Sequence, residues 1–193
     1  MNYSNIYKIS SNGLHLCPID DEMLDRRKIF LTDAVTGATM DLLLKQLMYL
    51  EMTDPGKEIT LFINSPGGEC LSGLAVLDYI RTMSSPIRTV CTGTAASMGA
   101  ILFLTGQKRE MLRHTNLMIH DPSTGGRLDD MKPHEIENTL NMLRDMQRTL
   151  IEIIAEASGK TEEEIAGITK NDTFFSMKEA LDFGLATGEY TGG

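Results

Sequence analysis

The chain has 193 residues, a formal net charge of −9, 41% hydrophobic residues and 23% charged residues, fractions typical of a soluble globular protein. This length allows one domain with a sizeable core, and we expect Met1–Gly193 to form a single domain. The acidic balance argues against a nucleic-acid-binding surface and against binding to anionic lipid. No apolar run approaches the ~20 residues that span a bilayer, and residues 1–12 lack the apolar core of a signal peptide. The three cysteines (Cys17, Cys70, Cys91) lack CxxC spacing, which favours a reducing, cytoplasmic location.

Residues 1–25 show no clear hydrophobic periodicity. Residues 15–19 are predicted to form at most a short edge segment, because Pro18 has no backbone N–H for a central strand. We expect this N-terminal segment to be mobile or to become ordered only against a partner.

From Lys28 onward, short β-rich runs alternate with amphipathic helical patterns. Strands are predicted over residues 28–32, 58–63 and 87–92, and helices over residues 39–51 and 70–83. The apolar positions of the second helix that are expected to face inward are Leu71, Leu74, Leu77 and Ile80. Strand–helix repetition of this kind predicts an α/β fold with a mostly parallel sheet and right-handed crossovers.

The second half of the chain contains the longest predicted helix. Short strands are predicted over residues 109–112 and 116–119, followed by a helix over residues 131–158 that Gly159 ends. The expected apolar side of this helix comprises Ile136, Leu140, Leu143, Met146, Leu150 and Ile154. Such a helix either wraps the core or projects outward, and a projecting helix suggests contact with another subunit. Capping-box patterns predict two further helices, which begin near Thr161 and Ser176.

Ser97 lies where a predicted strand gives way to a helix. Such a turn lifts the hydroxyl out of the sheet, and the first helical N–H groups have no partner within the helix. Small residues on both sides allow another backbone or a substrate to approach closely. The alternative interpretation is that Ser97 is an ordinary N-cap, since serine is a favoured cap residue.

Other chemistry-bearing residues follow neighbouring predicted strands. Gly67 and Gly68 come after the strand over residues 58–63, and His120 ends the strand over residues 116–119. Ligand sites in parallel sheets collect at the carboxyl ends of strands, so these residues and Ser97 are expected to lie together. Asp172 is in a polar stretch before two phenylalanines. Considered one at a time, these residues have simpler interpretations. The glycines could form an ordinary turn, His120 could be a structural histidine, and Asp172 could be a solvated acid in a loop.

Together these residues supply the parts of a serine hydrolase site. Ser97 would be the nucleophile, His120 the general base and Asp172 the carboxylate that orients the base. The backbone N–H groups of Gly68 and Met98 would form the oxyanion hole. The order Ser–His–Asp differs from that of chymotrypsin, subtilisin and the α/β-hydrolases, and there is no GxSxG elbow. This chemistry requires neither a metal ion nor a cofactor.

Three motifs resemble those of the ClpP family, the proteolytic subunits of the Clp protease. They are FINSPGG at residues 62–68, GTAASMGA at 93–100 and MIHDP at 118–122, and the resemblance runs from about residue 25 to residue 185. It implies a ClpP/crotonase-type α/β superhelix and the same roles for Ser97, His120, Asp172, Gly68 and Met98. It also implies serine endopeptidase activity on unfolded polypeptides that an AAA+ ATPase delivers.

The resemblance further implies stacked heptameric rings, with the helix over residues 131–158 as the handle between them. Residues 1–25 would be axial, although they do not resemble the usual axial-loop sequence, and Gly125 and Gly126 would line the substrate channel. Two positions depart from the family: Asp121 replaces the common glutamine, and Thr173 replaces the common arginine of the ring–ring contact. Because Thr173 cannot form that ion pair, we expect a weak double ring.

Three other functions are compatible with parts of this pattern. The chain could be a poorly active or inactive paralogue that regulates another ring, or a phage-type head-maturation protease of the same family. A crotonase-like acyl-CoA enzyme is a more distant alternative, because such enzymes usually use carboxylates as acid and base. Labelling by a fluorophosphonate distinguishes the serine peptidases from the others.

Overall fold

The computed structural model describes residues 4–10, 13–125 and 130–192. The expectations for residues 1–3, 11, 12, 126 and 127 therefore fall outside the described residues. In the described part of the chain, the strands are β1 (Asn5–Ser10), β2 (Gly13–Pro18), β3 (Lys28–Leu31), β4 (Ile59–Ser65), β5 (Ile87–Ala96), β6 (Lys108–Met111), β7 (Asn116–Ile119), β8 (Thr173–Ser176) and β9 (Gly188–Glu189). The helices are α1 (Ile19–Asp25), α2 (Gly37–Thr53), α3 (Cys70–Thr82), α4 (Met98–Phe103), α5 (Pro133–Ser158), α6 (Glu162–Ile168) and α7 (Met177–Phe183).

The main sheet is mostly parallel, as the strand–helix order predicted. Strands β3, β4, β5, β6 and β9 follow one another across it, and each neighbouring pair is parallel. The long strand β5 has two partners on one side, since residues 88–91 pair with β6 and residues 94–96 pair with β7. Strand β8 then joins β7 in antiparallel orientation. The buried residues of β4 and β5 lie at the centre of the core, among them Leu61, Ile63 and Val90.

Local signals at the helix ends agree with the predicted boundaries. Thr161 and Ser176 form the expected capping boxes at the starts of α6 and α7. Gly159 and Gly184 end α5 and α7 in the left-handed conformation, with φ of 71° and 94°. A side chain at Gly184 would also collide with the backbone of Ser158, so both conformation and space require glycine there.

The N-terminal segment contains strands and a helix that its sequence did not predict. Strands β1 and β2 form an antiparallel hairpin, and α1 connects it to β3. The side chains of Lys8 and Arg26 form ion pairs with Glu22, which is 8% exposed. The pairing of β1 with β2 is a contact between segments that neither sequence shows by itself.

Three further predictions were wrong or incomplete. Strands β8 and β9 were not predicted, because each is short and is stabilised by a distant partner strand. Leu71 was expected to face inward but is 71% exposed. The buried face of α3 instead contains Gly73, and Leu71, two residues earlier, lies about 200° around the helix from it.

Helix α5 projects from the body of the molecule. Its buried residues lie in its last third, from Leu150 to Ala155, whereas Ile136 and Leu140 are 37% and 43% exposed. Of the two arrangements that the sequence allowed, the projecting one is therefore observed. No helix among the described residues is long and apolar enough to cross a membrane.

Candidate active site

Ser97 is located at the junction of β5 and α4. Strand β5 extends to Ala96, four residues beyond its predicted end, so Ser97 follows it directly. Ser97 is the N-cap residue of α4, but its hydroxyl makes no cap hydrogen bond. Its backbone N–H donates to Met118 O of the neighbouring strand β7, at 2.8 Å. The hydroxyl is therefore available for another partner.

That partner is His120. The Nε2 atom of His120 lies 2.8 Å from Oγ of Ser97. The parallel pairing of Ala96 with Met118 explains this proximity, because Ser97 and His120 each lie just beyond a paired strand end. The His120 side chain is 26% exposed, so it is partly shielded while remaining open to a reactant.

Asp172 approaches the other side of the imidazole. Its Oδ1 lies 3.3 Å from Nδ1 of His120. The antiparallel register pairs Ile119 with Thr173, so the next pair outward consists of His120 and Asp172. The contact is longer than an ordinary charge-assisted hydrogen bond of ~2.7–2.9 Å, and the Asp172 side chain is 63% exposed. In the single chain the carboxylate is thus close to the histidine but not held tightly.

Gly67 packs against the turn that carries Ser97, and Gly68 packs against the segment before α2. Gly67 has φ of 85°, and a Cβ there would lie 2.5 Å from Ala96 O and 2.7 Å from Cβ of Ser97. Gly68 has φ of 149° and packs against the backbone of Val35. Neither the backbone N–H of Gly68 nor that of Met98 donates a hydrogen bond to any of the described residues. These two N–H groups remain available as donors.

A groove with a volume of about 380 Å³ begins at Gly68. Its lining comes from the segment that follows His120 and from helices α3 and α5. The residues that line it include Cys70, Leu71, Pro122, Ser123, Met142 and Met146. Burial raises the pKa of the Cys70 thiol, so this group is a poor nucleophile near neutral pH. The exposed Leu71 thus contributes to an apolar groove and not to the core.

Residues 11–188 match the family model for Clp protease. The chain belongs to the Clp protease family. Relatives include an ATP-dependent Clp protease proteolytic subunit 1 from Chlamydia trachomatis serovar D, 40% identical over 172 residues, which are 88% of this chain and 89% of the relative. The protein of the same name from Protochlamydia amoebophila is 40% identical over 169 residues, covering 86% and 82% of the two chains. That from Chlamydia abortus is 38% identical over 172 residues, covering 88% and 89%.

The family assignment confirms the predicted ClpP-type α/β fold and identifies the chain as a Clp-type serine peptidase. The five predicted site residues lie at the ends of neighbouring strands: Gly68 after β4, Ser97 and Met98 after β5, His120 after β7 and Asp172 before β8. Sequence reasoning missed Gln147 of α5, whose Nε2 donates to Oδ2 of Asp121 at 2.7 Å. A glutamine within a helical pattern carries no signal of such a contact.

Proposed function

We propose that this Clp family member is a serine endopeptidase in which Ser97, His120 and Asp172 form the catalytic triad. The observation that carries the proposal is the 2.8 Å contact between Nε2 of His120 and Oγ of Ser97. A serine hydroxyl is a weak nucleophile near neutral pH unless a base lies within hydrogen-bond reach. This contact meets that requirement in the uncomplexed chain.

In the first step, Oγ of Ser97 attacks the carbonyl carbon of the peptide bond while Nε2 of His120 accepts the hydroxyl proton. Asp172 accepts from the Nδ1–H of His120, which selects the productive tautomer and stabilises the imidazolium. The resulting oxyanion is bound by the N–H groups of Gly68 and Met98. One such donor contributes about 2.7–4 kcal/mol of transition-state stabilisation.

Collapse of the tetrahedral intermediate completes the reaction in two stages. His120 returns its proton to the leaving amine, and the acyl group remains as an ester on Ser97. A water molecule, deprotonated by His120, then attacks this ester. The bond between the acyl group and Oγ of Ser97 breaks as His120 returns the proton to Oγ, and the second product leaves as a carboxylic acid. The apolar groove beside Gly68 would bind a substrate side chain next to the scissile bond.

The substrates we propose are unfolded polypeptides inside a chamber of stacked heptameric rings, delivered by an AAA+ ATPase. The names of the relatives support an ATP-dependent partner for this chain as well. An aromatic surface cluster offers a docking site: Phe30, 45% exposed, stacks on Phe62 at 5.1 Å, and Tyr190 contacts Phe62 edge-on at 5.9 Å. Exposed apolar clusters of this kind are typical of interaction sites.

The proposal is tested by the intact mass of the protein after incubation with a fluorophosphonate. We expect one adduct on the wild type and none on Ser97→Ala, together with a loss of peptide hydrolysis of about 10⁴-fold or more in the variant. The circular dichroism spectrum should be the same for both proteins. A folded wild type that forms no adduct would contradict the proposal and favour the inactive-paralogue alternative.

A further inference from the structure

Asp121, immediately after His120, connects three parts of the molecule. Its backbone N–H donates to Thr169 O at 2.7 Å, at the start of the loop that carries Asp172. Its carboxylate Oδ2 accepts from Nε2 of Gln147 on α5, also at 2.7 Å. The segments of the general base, of its orienting acid and of the projecting helix therefore meet at this residue.

The bond to Gln147 lies where α5 leaves the body of the molecule. Beyond it, from Leu150 onward, α5 is anchored in the core, while the turns before it are largely exposed. The bond also lies next to the groove in sequence, since Pro122 and Ser123 follow Asp121, Met146 precedes Gln147, and all three line the groove. It therefore ties together two of the segments that line the groove.

The environment of the second carboxylate oxygen is energetically unfavourable. Oδ1 of Asp121 is buried and has no hydrogen-bond partner among the described residues. An unpaired buried acceptor is unfavourable, and more so when it belongs to a charged group. The carboxylate is, however, a stronger acceptor for the amide of Gln147 than a neutral side chain would be.

We propose that Asp121 is a positioning residue that acts through Gln147: their hydrogen bond holds His120 in line with Ser97 and sets the width of the substrate groove. The inference rests on the proposed function, because it assigns Asp121 to the same site. It predicts that loss of the bond reduces kcat, because His120 is no longer held in line with Ser97. It also predicts a higher KM, because the groove no longer has the width that fits the substrate. A role in folding alone would instead change the melting temperature and leave both constants of the folded enzyme unchanged.

The test is an exchange of the two side chains. Gln147→Glu places two carboxylates at hydrogen-bond distance, and we expect a decrease in fluorophosphonate acylation rate and in kcat of about tenfold to 100-fold. In the double variant Asp121→Asn, Gln147→Glu, the new amide can donate to the new carboxylate, and we expect recovery to within about threefold of the wild type. The control is Asn141→Asp, which adds the same charge to an exposed part of α5.

A second readout does not depend on a working serine. Diethylpyrocarbonate modifies neutral imidazoles, and peptide mass spectrometry reports the rate at each histidine. We expect His120 to react faster in Gln147→Glu and to return to the wild-type rate in the double variant. The exposed His114 and His134 serve as internal references and should not change.

The outcomes separate this inference from the proposed function. A wild type that is not acylated contradicts the triad, while the modification rates of His120 still decide the role of Asp121. If the wild type is acylated and Gln147→Glu is acylated at the same rate, the inference is overturned. It is also overturned if the double variant is acylated as slowly as Gln147→Glu. If Gln147→Glu does not fold, the single variant Asp121→Asn tests the inference. We expect its acylation rate to be about threefold lower than that of the wild type, and an unchanged rate would contradict the inference.

Discussion

The backbone of Ser97 has φ of 52° and ψ of −122°, a conformation that residues with a Cβ rarely adopt. Strain of this kind costs about 1–3 kcal/mol and is found mainly at functional sites. The turn is held by the bond from Ser97 N to Met118 O and by the packing of Gly67 beneath it. The surrounding structure thus maintains a conformation that exposes the hydroxyl to His120.

We predict that Ser97→Gly is more stable than Ser97→Ala by about 1 kcal/mol. Glycine adopts positive φ without strain and is a better N-cap than alanine, and these gains exceed its larger loss of backbone entropy on folding. Urea denaturation of the two inactive variants measures the difference. Equal or reversed stabilities would show that the turn is not strained.

We predict that Gly67→Ala lowers the rate of fluorophosphonate acylation by about tenfold to 100-fold. The added methyl group would lie within 2.8 Å of Met98 N and even closer to Ala96 O, so the turn that carries Ser97 must move. The matched control is Gly167→Ala in α6, where nothing lies within 4 Å of the new Cβ and helix propensity favours alanine. Its acylation rate should equal that of the wild type, and equal rates in both variants would contradict the prediction.

At the scale of secondary-structure elements, the end of α2 is tied to the turn between α3 and β5. Glu51 accepts hydrogen bonds from the backbone N–H and hydroxyl of Ser84, at 2.8 and 2.6 Å, and from the N–H of Ser85 at 3.1 Å. Arg27, buried and with φ of 59°, donates to Leu50 O and to the hydroxyl of Ser85 at the same junction. These bonds hold α2 and α3 against the sheet strands that lead to the active site.

This junction predicts a specific pH dependence of stability. The bonds from Ser84, and then from Ser85, lower the pKa of Glu51 from 4.5 to about 2. Because the pKa is lower in the folded state, the contribution of Glu51 to stability is complete above pH 4.5 and is lost as the pH falls to about 2. The difference in free energy of unfolding between the wild type and Glu51→Gln should therefore be largest above about pH 5, and it should decrease toward zero as the pH approaches 2.

Chemical denaturation at a series of pH values measures this difference. Glu137→Gln, at an exposed position of α5, is the control and should follow the wild type throughout. A difference for Glu51→Gln that stays constant from pH 5 to pH 2 would show that the charge of Glu51 does not stabilise the fold.

At the scale of the whole molecule, the exposed half of α5 is an incomplete hydrophobic surface. Ile136 and Leu140 are 37% and 43% exposed, and because they are four residues apart they share one face of a helix of 26 residues, about 39 Å long. The body of the same chain does not cover these side chains. A second subunit is the partner that we propose for this surface, in agreement with the stacked rings of the proposed function.

We predict that Leu140→Asp weakens assembly without unfolding the subunit. The charge would be buried unpaired in the contact between subunits, whereas in the free subunit it remains in water. Light scattering over a dilution series should show smaller particles for Leu140→Asp than for the wild type, while Asn141→Asp, next to it and exposed, should match the wild type. Equal particle masses for all three proteins would contradict a role of α5 in assembly.

Most of the helices and parallel strands could be predicted from the sequence, because their signals are local. The apolar stripe of α2, the capping boxes at Thr161 and Ser176 and the glycines at 159 and 184 all act within a few residues of their positions. The three motifs around Gly68, Ser97 and His120 are also contiguous in the chain, so the sequence is sufficient to indicate the family and the candidate site residues.

Other features depend on pairing between distant segments. Strand β8 exists because Thr173 pairs with Ile119, and this register, not the loop sequence, brings Asp172 to His120. The N-terminal hairpin consists of β1 paired with β2, and Glu22 of α1 forms ion pairs with Lys8 and Arg26. The exposure of Leu71 and the contact between Asp121 and Gln147 depend on how α3 and α5 lie against the sheet.

The sequence by itself thus determined most of the helices and parallel strands, the family and the residues that can carry the chemistry, since these depend on residue type and short-range spacing. The tertiary structure alone decided the distances of 2.8 and 3.3 Å within the proposed triad, the groove beside Gly68 and the projection of α5. Each of these arises from contacts between segments far apart in the chain, whose geometry is set by strand register and packing.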